Sequence, residues 1–147
     1  MKQIYKLPIY VGIILKDNNH VLLVQRHNTD WMPQYWNFPE GLLEESETLI
    51  AAAQREIYKE VGVIVEKDHL ILTQVLHVHA NAFNTQNIMG VYFMATAWKD
   101  NPINKEPHRH AAVSWFDIQK LPTNITEQAL LALESVLQGK KYNEHGW

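Results

Sequence analysis

Glu56 and Glu60 stand four residues apart in a segment, Thr48 to Val61, that reads as a helix. At about 100° per residue their side chains project about 40° apart, one turn from each other. Two carboxylates held in that way suit a hard cation such as Mg²⁺, which takes oxygen ligands and usually keeps one or two protein carboxylates beside water and phosphate oxygens. The same spacing is also common on solvated acidic flanks of helices, so the surrounding frame decides between the two. That frame starts at Gly41, reaches Glu47 after five residues and Arg55-Glu56-Ile57-Tyr58-Lys59-Glu60-Val61-Gly62-Val63 after seven more. Gly41 suits a loop that turns sharply or approaches a ligand closely. Glu40 and Glu44 are further acids that could face the same site or simply solvent.

The elements that must hold these groups are readable along the chain. Thr48 is a suitable N-cap, Ala51 to Ala53 are strong helix formers, and Gly62 is a stop. Leu49, Ala53, Ile57 and Val61 step along one stripe that faces a core, which puts Glu56 and Glu60 at the edge of a buried face. Pro8 to Leu15 and His20 to Gln25 are aliphatic runs around Lys16-Asp17-Asn18-Asn19, a hairpin signal. An aromatic, turn-rich stretch follows from Asp30 to Gly41. Strands are expected over Leu70–His79, Ile88–Trp98 and Val113–Phe116, and a second amphipathic helix over Asn124–Leu137, stopped by Gly139. Strands, a helix, more strands and a last helix imply an α/β fold with a mixed sheet covered by helices.

The frame from Gly41 to Val63 resembles the Nudix box, whose pattern is G-x5-E-x7-R-E-U-x-E-E-x-G-U with U aliphatic. Eight of its nine specified positions match: Gly41, Glu47, Arg55, Glu56, Ile57, Glu60, Gly62 and Val63. Lys59 stands where the pattern has a glutamate. The stretch Trp36-Asn37-Phe38-Pro39-Glu40-Gly41 resembles the strand leading into the box in nucleotide-directed members, and Trp115-Phe116-Asp117 with Leu121-Pro122 resembles the closing strand and turn. The resemblance implies a Nudix-type α/β/α sandwich, here a single domain over residues 1–147. It implies hydrolysis of a nucleoside triphosphate or related nucleotide to nucleoside monophosphate and pyrophosphate, with Mg²⁺ as cofactor and Mn²⁺ as a possible substitute. By the same resemblance Glu56 and Glu60 bind metal and are catalytic, Arg55 and Glu47 orient them, and a further carboxylate comes from a late loop, for which Glu106 is the candidate. A cationic Lys59 cannot ligate a metal. It would pair with Glu56 or contact a substrate phosphate. The alternatives left open are ADP-ribose, a dinucleoside polyphosphate or another diphosphate as substrate, or a binding and regulatory module in which Lys59 marks lost catalysis.

Outside the box, Arg26 ends the second strand and offers bidentate donors to phosphate. Trp31, Tyr35 and Phe83 could stack on a base or simply pack. His77-Val78-His79 and His108-Arg109-His110 place imidazoles two residues apart, but neither has a third ligand in sequence to make a zinc site. The 147 residues carry no cysteine, which excludes disulfide and thiolate chemistry, and a net charge of −3, which argues against a strongly basic nucleic-acid surface. No apolar run suggests a signal peptide or a membrane span. The expectation is a cytoplasmic protein, monomer or homodimer, acting on a small nucleotide with neither nucleic-acid polymer nor membrane as partner.

Overall fold

The computed structural model describes residues 1–147. Eight strands, β1 (Ile9–Asp17), β2 (His20–Arg26), β3 (Trp36–Asn37), β4 (Glu40–Leu42), β5 (Ile71–Val78), β6 (Ile88–Ala95), β7 (His110–Asp117) and β8 (Tyr142–His145), accompany two helices, α1 (Leu49–Val61) and α2 (Glu127–Gln138). The strands join in one mixed sheet with the path β3-β2-β1-β6-β5-β8, while β4 pairs with β1 and β7 with β2. The β1–β6 and β5–β8 pairs are parallel.

The expected hairpin forms only at its tip, where Lys16 pairs with Val21 and Asp17 with His20 across a turn carrying Asn18 at φ 51°. Asparagine tolerates that left-handed backbone better than most residues. Beyond the tip the two strands part. β1 runs beside β6 from Ile9–Met89 to Leu15–Ala95 and takes β4 on its other edge, while β2 pairs with β7 from His20 to Arg26. Both strands bury side chains on both faces, which an isolated hairpin cannot cover, so each acquires its own neighbours.

Alternation along these strands builds two cores. Val11, Ile13 and Leu15 of β1 and Val91 and Phe93 of β6 face α1, packing with Ala52, Ala53, Ile57 and Val61. Tyr10 and Ile14 of β1 and Tyr92 of β6 face α2, against Ala129, Ala132 and Leu133. At roughly 1.5–3 kcal/mol for each fully buried aliphatic side chain, Ile57 and Val61 anchor α1 firmly to the sheet. The result is the α/β/α sandwich. No helix is long and apolar enough to cross a membrane.

The second helix starts later than its periodicity suggests, at Glu127 with Thr126 as N-cap. Asn124 and Ile125 are instead held in an extended bridge to β3: the Trp36 N–H donates to the Asn124 carbonyl at 2.8 Å and the Thr126 N–H to the Trp36 carbonyl at 3.0 Å. β6 likewise ends at Ala95 rather than Trp98, because the chain turns away to bridge Lys99 to Ile64. β8 has no counterpart among the sequence expectations. Its Tyr-Asn-Glu-His sequence lacks a strand signal, and it exists because β5 offers a free edge to Tyr142–His145.

Candidate active site

Helix α1 is defined at both ends by local chemistry. The Ala51 N–H donates to Thr48 Oγ1 at 3.1 Å, and Gly62 takes φ 76° while its N–H donates to the Tyr58 carbonyl at 2.9 Å. The final turn leaves carbonyls without helical partners. Two of them accept from the loop before β7: the Ile103 N–H reaches Val61 at 2.9 Å and the Lys105 N–H reaches Glu60 at 3.1 Å. This docking carries Glu106 to the helix. Asn104 closes the loop, its Nδ2 donating to the His110 carbonyl at 2.8 Å and its Oδ1 accepting from the Glu106 N–H at 3.1 Å.

Arg55 ties the loop to the helix, as the resemblance to the Nudix box implies. Its Nε and Nη2 donate to the two oxygens of Glu47 at 2.9 and 2.6 Å, Nη2 also donates to the Leu42 carbonyl at 3.0 Å, and Nη1 donates to Glu56. Bidentate geometry of this kind is strong and directional. The Arg55 hydrogen bond, with a smaller part from the Glu44 N–H, holds the Glu47 carboxyl down at about 2. The same partners hold the Arg55 guanidinium firmly charged. Gly41 lies directly over the Glu56 carboxylate, and a Cβ there would overlap all of its heavy atoms.

Glu56, Glu60 and Glu106 are all buried, and Glu56 Oε2, Glu60 Oε2 and Glu106 Oε1 have no hydrogen-bond partner. Burial first, and then the neighbouring Glu56, Glu40 and Glu106 charges, push the Glu60 carboxyl well above its ordinary range. Glu40 is pushed up to about 7, again chiefly by burial, with Arg26 opposing. Buried, unpaired anionic oxygens are costly to leave alone. No three His, Asp or Glu side chains form a ready-made ligand set. The donors nevertheless fit a hard divalent cation that draws one or two carboxylates from the protein and its remaining oxygens from water and phosphate. Glu56 and Glu60 would hold it, with Glu106 beside Glu60.

Lys59 points into this site. Its Nζ lies 3.5 Å from Glu56 Oε2, and the residue lines the same cleft as Glu56 and Glu60. The pairing is electrostatic without hydrogen-bond geometry, since that oxygen remains unpartnered. The cleft has a volume of about 430 Å³, and Arg26, Lys59 and Arg109 line it with Glu40, Glu56 and Glu60. Such mixed polarity suits a phosphate chain bridged to protein acids by cations. Arg26 is only partly free for this task. Its Nε donates to the Trp31 carbonyl at 2.9 Å and its Nη2 to Thr29 Oγ1 at 2.9 Å, while the guanidinium carbon sits 4.6 Å from the centre of the Trp31 ring.

His110 was singled out in the sequence only as half of a histidine doublet. It is buried at the head of β7 with Nε2 3.9 Å from Glu60 Oε1. Burial lowers it to about 4, so it is neutral near pH 7 and adds no charge to that contact. Its doublet partner His108 is exposed. His77 and His79 flank the Trp147 ring, with centroids 4.7 and 4.6 Å away, rather than converging on a ligand site. Trp31, Tyr35 and Phe83 do meet, around one pocket beyond the cleft. Arg109 and His110 entered the cleft through the loop docking described above, and no sequence periodicity announces that event.

Comparison with known proteins agrees with this geometry. Residues 6–135 match the model of the NUDIX domain. An 8-oxo-dGTP diphosphatase of Proteus vulgaris is 34% identical over 101 residues, covering 69% of this chain and 86% of the relative. A dihydroneopterin triphosphate diphosphatase of Escherichia coli is 33% identical over 72 residues, 48% of this chain and 46% of the relative. The crystal structure of a MutT NUDIX hydrolase from Burkholderia pseudomallei superposes with a TM-score of 0.81 at 28% identity, covering 90% of this chain and 99% of that one. The chain belongs to the Nudix family and is a pyrophosphohydrolase, a hydrolase of phosphoric anhydride bonds. Enzymes of this family generally use divalent cations and act on small nucleotide substrates.

Proposed function

We propose that the chain hydrolyses a nucleoside triphosphate or a closely related nucleotide, in a Mg²⁺-dependent reaction, to a nucleoside monophosphate and pyrophosphate. The observation that carries this reading is the set of buried, unpartnered carboxylate oxygens of Glu56, Glu60 and Glu106 beside a cleft lined by Arg26, Lys59 and Arg109. Diphosphatases of nucleoside and pterin triphosphates among the relatives support the substrate class. The bound cation would neutralise phosphate charge and lower the pKa of a bound water. The residues do the rest. Glu56, fixed by Arg55 and sheltered under Gly41, positions the attacking water and accepts its proton. The water oxygen bonds to an inner phosphorus, the P–O anhydride bond breaks, and the leaving phosphate oxygen takes the electron pair while Arg26 and Arg109 offset its charge. Holding these groups in place before reaction is the main source of rate.

A screen for released pyrophosphate, coupled to inorganic pyrophosphatase, should give a signal that requires Mg²⁺ or Mn²⁺ for at least one member of a nucleoside triphosphate panel. Silence across nucleoside triphosphates, with turnover of ADP-ribose or a dinucleoside polyphosphate followed by chromatography of the nucleotide products, would move the substrate class. Silence with every one of them would support a binding module.

Lys59 provides a second test of the same site. Because its ammonium points at Glu56, Lys59→Glu replaces a cation by an anion where divalent charge collects. The variant should reach half-maximal rate at a lower Mg²⁺ concentration. Its kcat need not rise, since Lys59 also lines the phosphate cleft. An unchanged or higher metal requirement would show that the lysine has become part of the site.

A further inference from the structure

His110 lines the catalytic cleft from the head of β7, only 7% exposed, and the chain gives its ring nothing to bind. Nδ1 is sealed in without a hydrogen-bond partner, and Nε2 faces Glu60 Oε1 at 3.9 Å, beyond hydrogen-bond reach. A neutral imidazole carries one donor and one acceptor, so either tautomer leaves this ring unsatisfied. Buried polar groups are normally paired, and an unpaired one is costly. A histidine kept for packing alone would place at least one nitrogen on a partner.

The backbone of the same residue is firmly tied. The His110 N–H donates to the Glu106 carbonyl at 2.8 Å, and the His110 carbonyl accepts from Asn104 Nδ2 at 2.8 Å. Strand register slips at this point: Gln25 pairs with Ala112 but Arg26 with His110, leaving Ala111 as an extra residue in β7. A bulge of this kind re-aims the side chains beside it and is frequent next to active sites. The loop that carries Glu106 to the end of α1 therefore carries the His110 ring with it.

Glu60 Oε2 and Glu106 Oε1 are likewise buried without partners. A cation would satisfy the carboxylates and the imidazole together. The 3.9 Å between Nε2 and Glu60 Oε1 lies within the span of two metal–ligand bonds of about 2.1 Å each, so one ion can touch both. Lys59 offers no ligand from α1, because an ammonium has no lone pair to give. Imidazole is a poor donor for Mg²⁺, which keeps to oxygen, and a good one for the later first-row ions.

We propose that His110 is a further ligand of the catalytic cation, through Nε2, and that it tilts the site from Mg²⁺ toward a first-row transition ion such as Fe²⁺ or Co²⁺. This rests on the cation site described above and adds to it a nitrogen ligand and a metal preference.

Calorimetric titration of the metal-free enzyme with Co²⁺ alone and with Mg²⁺ alone reads the two affinities. His110→Phe keeps a ring and removes both nitrogens. It should bind Co²⁺ at least about tenfold more weakly and Mg²⁺ within about threefold of wild type, since losing even the partner that orients a ligand costs about ten- to a hundredfold. Co²⁺-loaded wild type should also show, in proton NMR, a paramagnetically shifted imidazole N–H signal that disappears in D2O and is absent from the variant. Unchanged Co²⁺ affinity, or both metals weakened alike, would overturn the assignment and leave His110 as a packing or phosphate-facing residue. Should His110→Phe fail to fold, His110→Asn is titrated instead and judged by the same outcomes. A wild type that bound neither ion would remove the cation site itself, a separate failure that takes this ligand with it.

Discussion

Glu60→Gln and Glu56→Gln should each reduce kcat by on the order of a thousandfold, about 4 kcal/mol of barrier, while the fold survives. Glutamine keeps the shape of the side chain and removes the charge that a divalent cation requires. For Glu60 the structure adds a second and less intuitive expectation. This carboxylate is buried beside Glu56, Glu40 and Glu106, and one of its oxygens has no partner. In metal-free protein the charge there is a burden on the folded state. Glu60→Gln should therefore raise the melting temperature measured in EDTA while abolishing the Mg²⁺-induced stabilisation of wild type, which mass action sets at about 2.7 kcal/mol at a hundred times Kd. Thermal melts with and without Mg²⁺ measure both effects, and steady-state rates measure the first. Retention of activity within about threefold in both variants, under 1 kcal/mol, would remove Glu56 and Glu60 from the chemistry. A Glu60→Gln protein that melts lower in EDTA would show that the carboxylate has a structural partner.

The second large effect is expected from a single methyl group. Gly41→Ala places a Cβ on the Glu56 carboxylate, closer than any real contact allows. Gly41 itself pairs with Val11 in regular β4–β1 register and has no left-handed backbone to explain a glycine. Close approach is therefore the reason for the residue, and relief must come from Glu56 or from the β4 strand. Glu56 is tied to Arg55, which is tied in turn to Glu47 and the Leu42 carbonyl, so displacement would spread through the brace. A misplacement of about 1 Å can cost on the order of a hundredfold in rate. Gly41→Ala should lose at least that in kcat, with thermal stability near that of wild type because β4 lies at the edge of the core. Full activity in this variant would mean that β4 yields easily and that Glu56 needs no fixed position.

The Nudix box could be read without a structure because nearly all of it is local. Carboxylates at i and i+4, a Thr48 cap, an apolar stripe from Leu49 to Val61 and a Gly62 stop are consequences of helical periodicity and backbone sterics, and they survive whatever surrounds them. The pairing of Glu47 with Arg55 is nearly local as well, eight residues apart across the N-terminus of α1. Strand content was legible for a similar reason: β-branched alternation marks β1, β2, β5 and β6 wherever they pack. Their partners were not. The β1–β2 hairpin opens after two residue pairs because each strand needs cover on both faces, and that demand arises only when the sheet assembles.

The remainder of the site belongs to tertiary structure. The helical frame sets where Lys59 sits, but only the packed cleft shows its ammonium turned onto Glu56. Glu106 and His110 reach Glu60 because the loop before β7 donates Ile103 and Lys105 N–H groups to the open carbonyls at the end of α1, a meeting of segments more than forty residues apart. Spacing in sequence encodes contacts within a few residues, where the backbone geometry is fixed. Contacts across the chain depend on which hydrogen-bonding groups the fold leaves unsatisfied, and these exist only once the layers have packed.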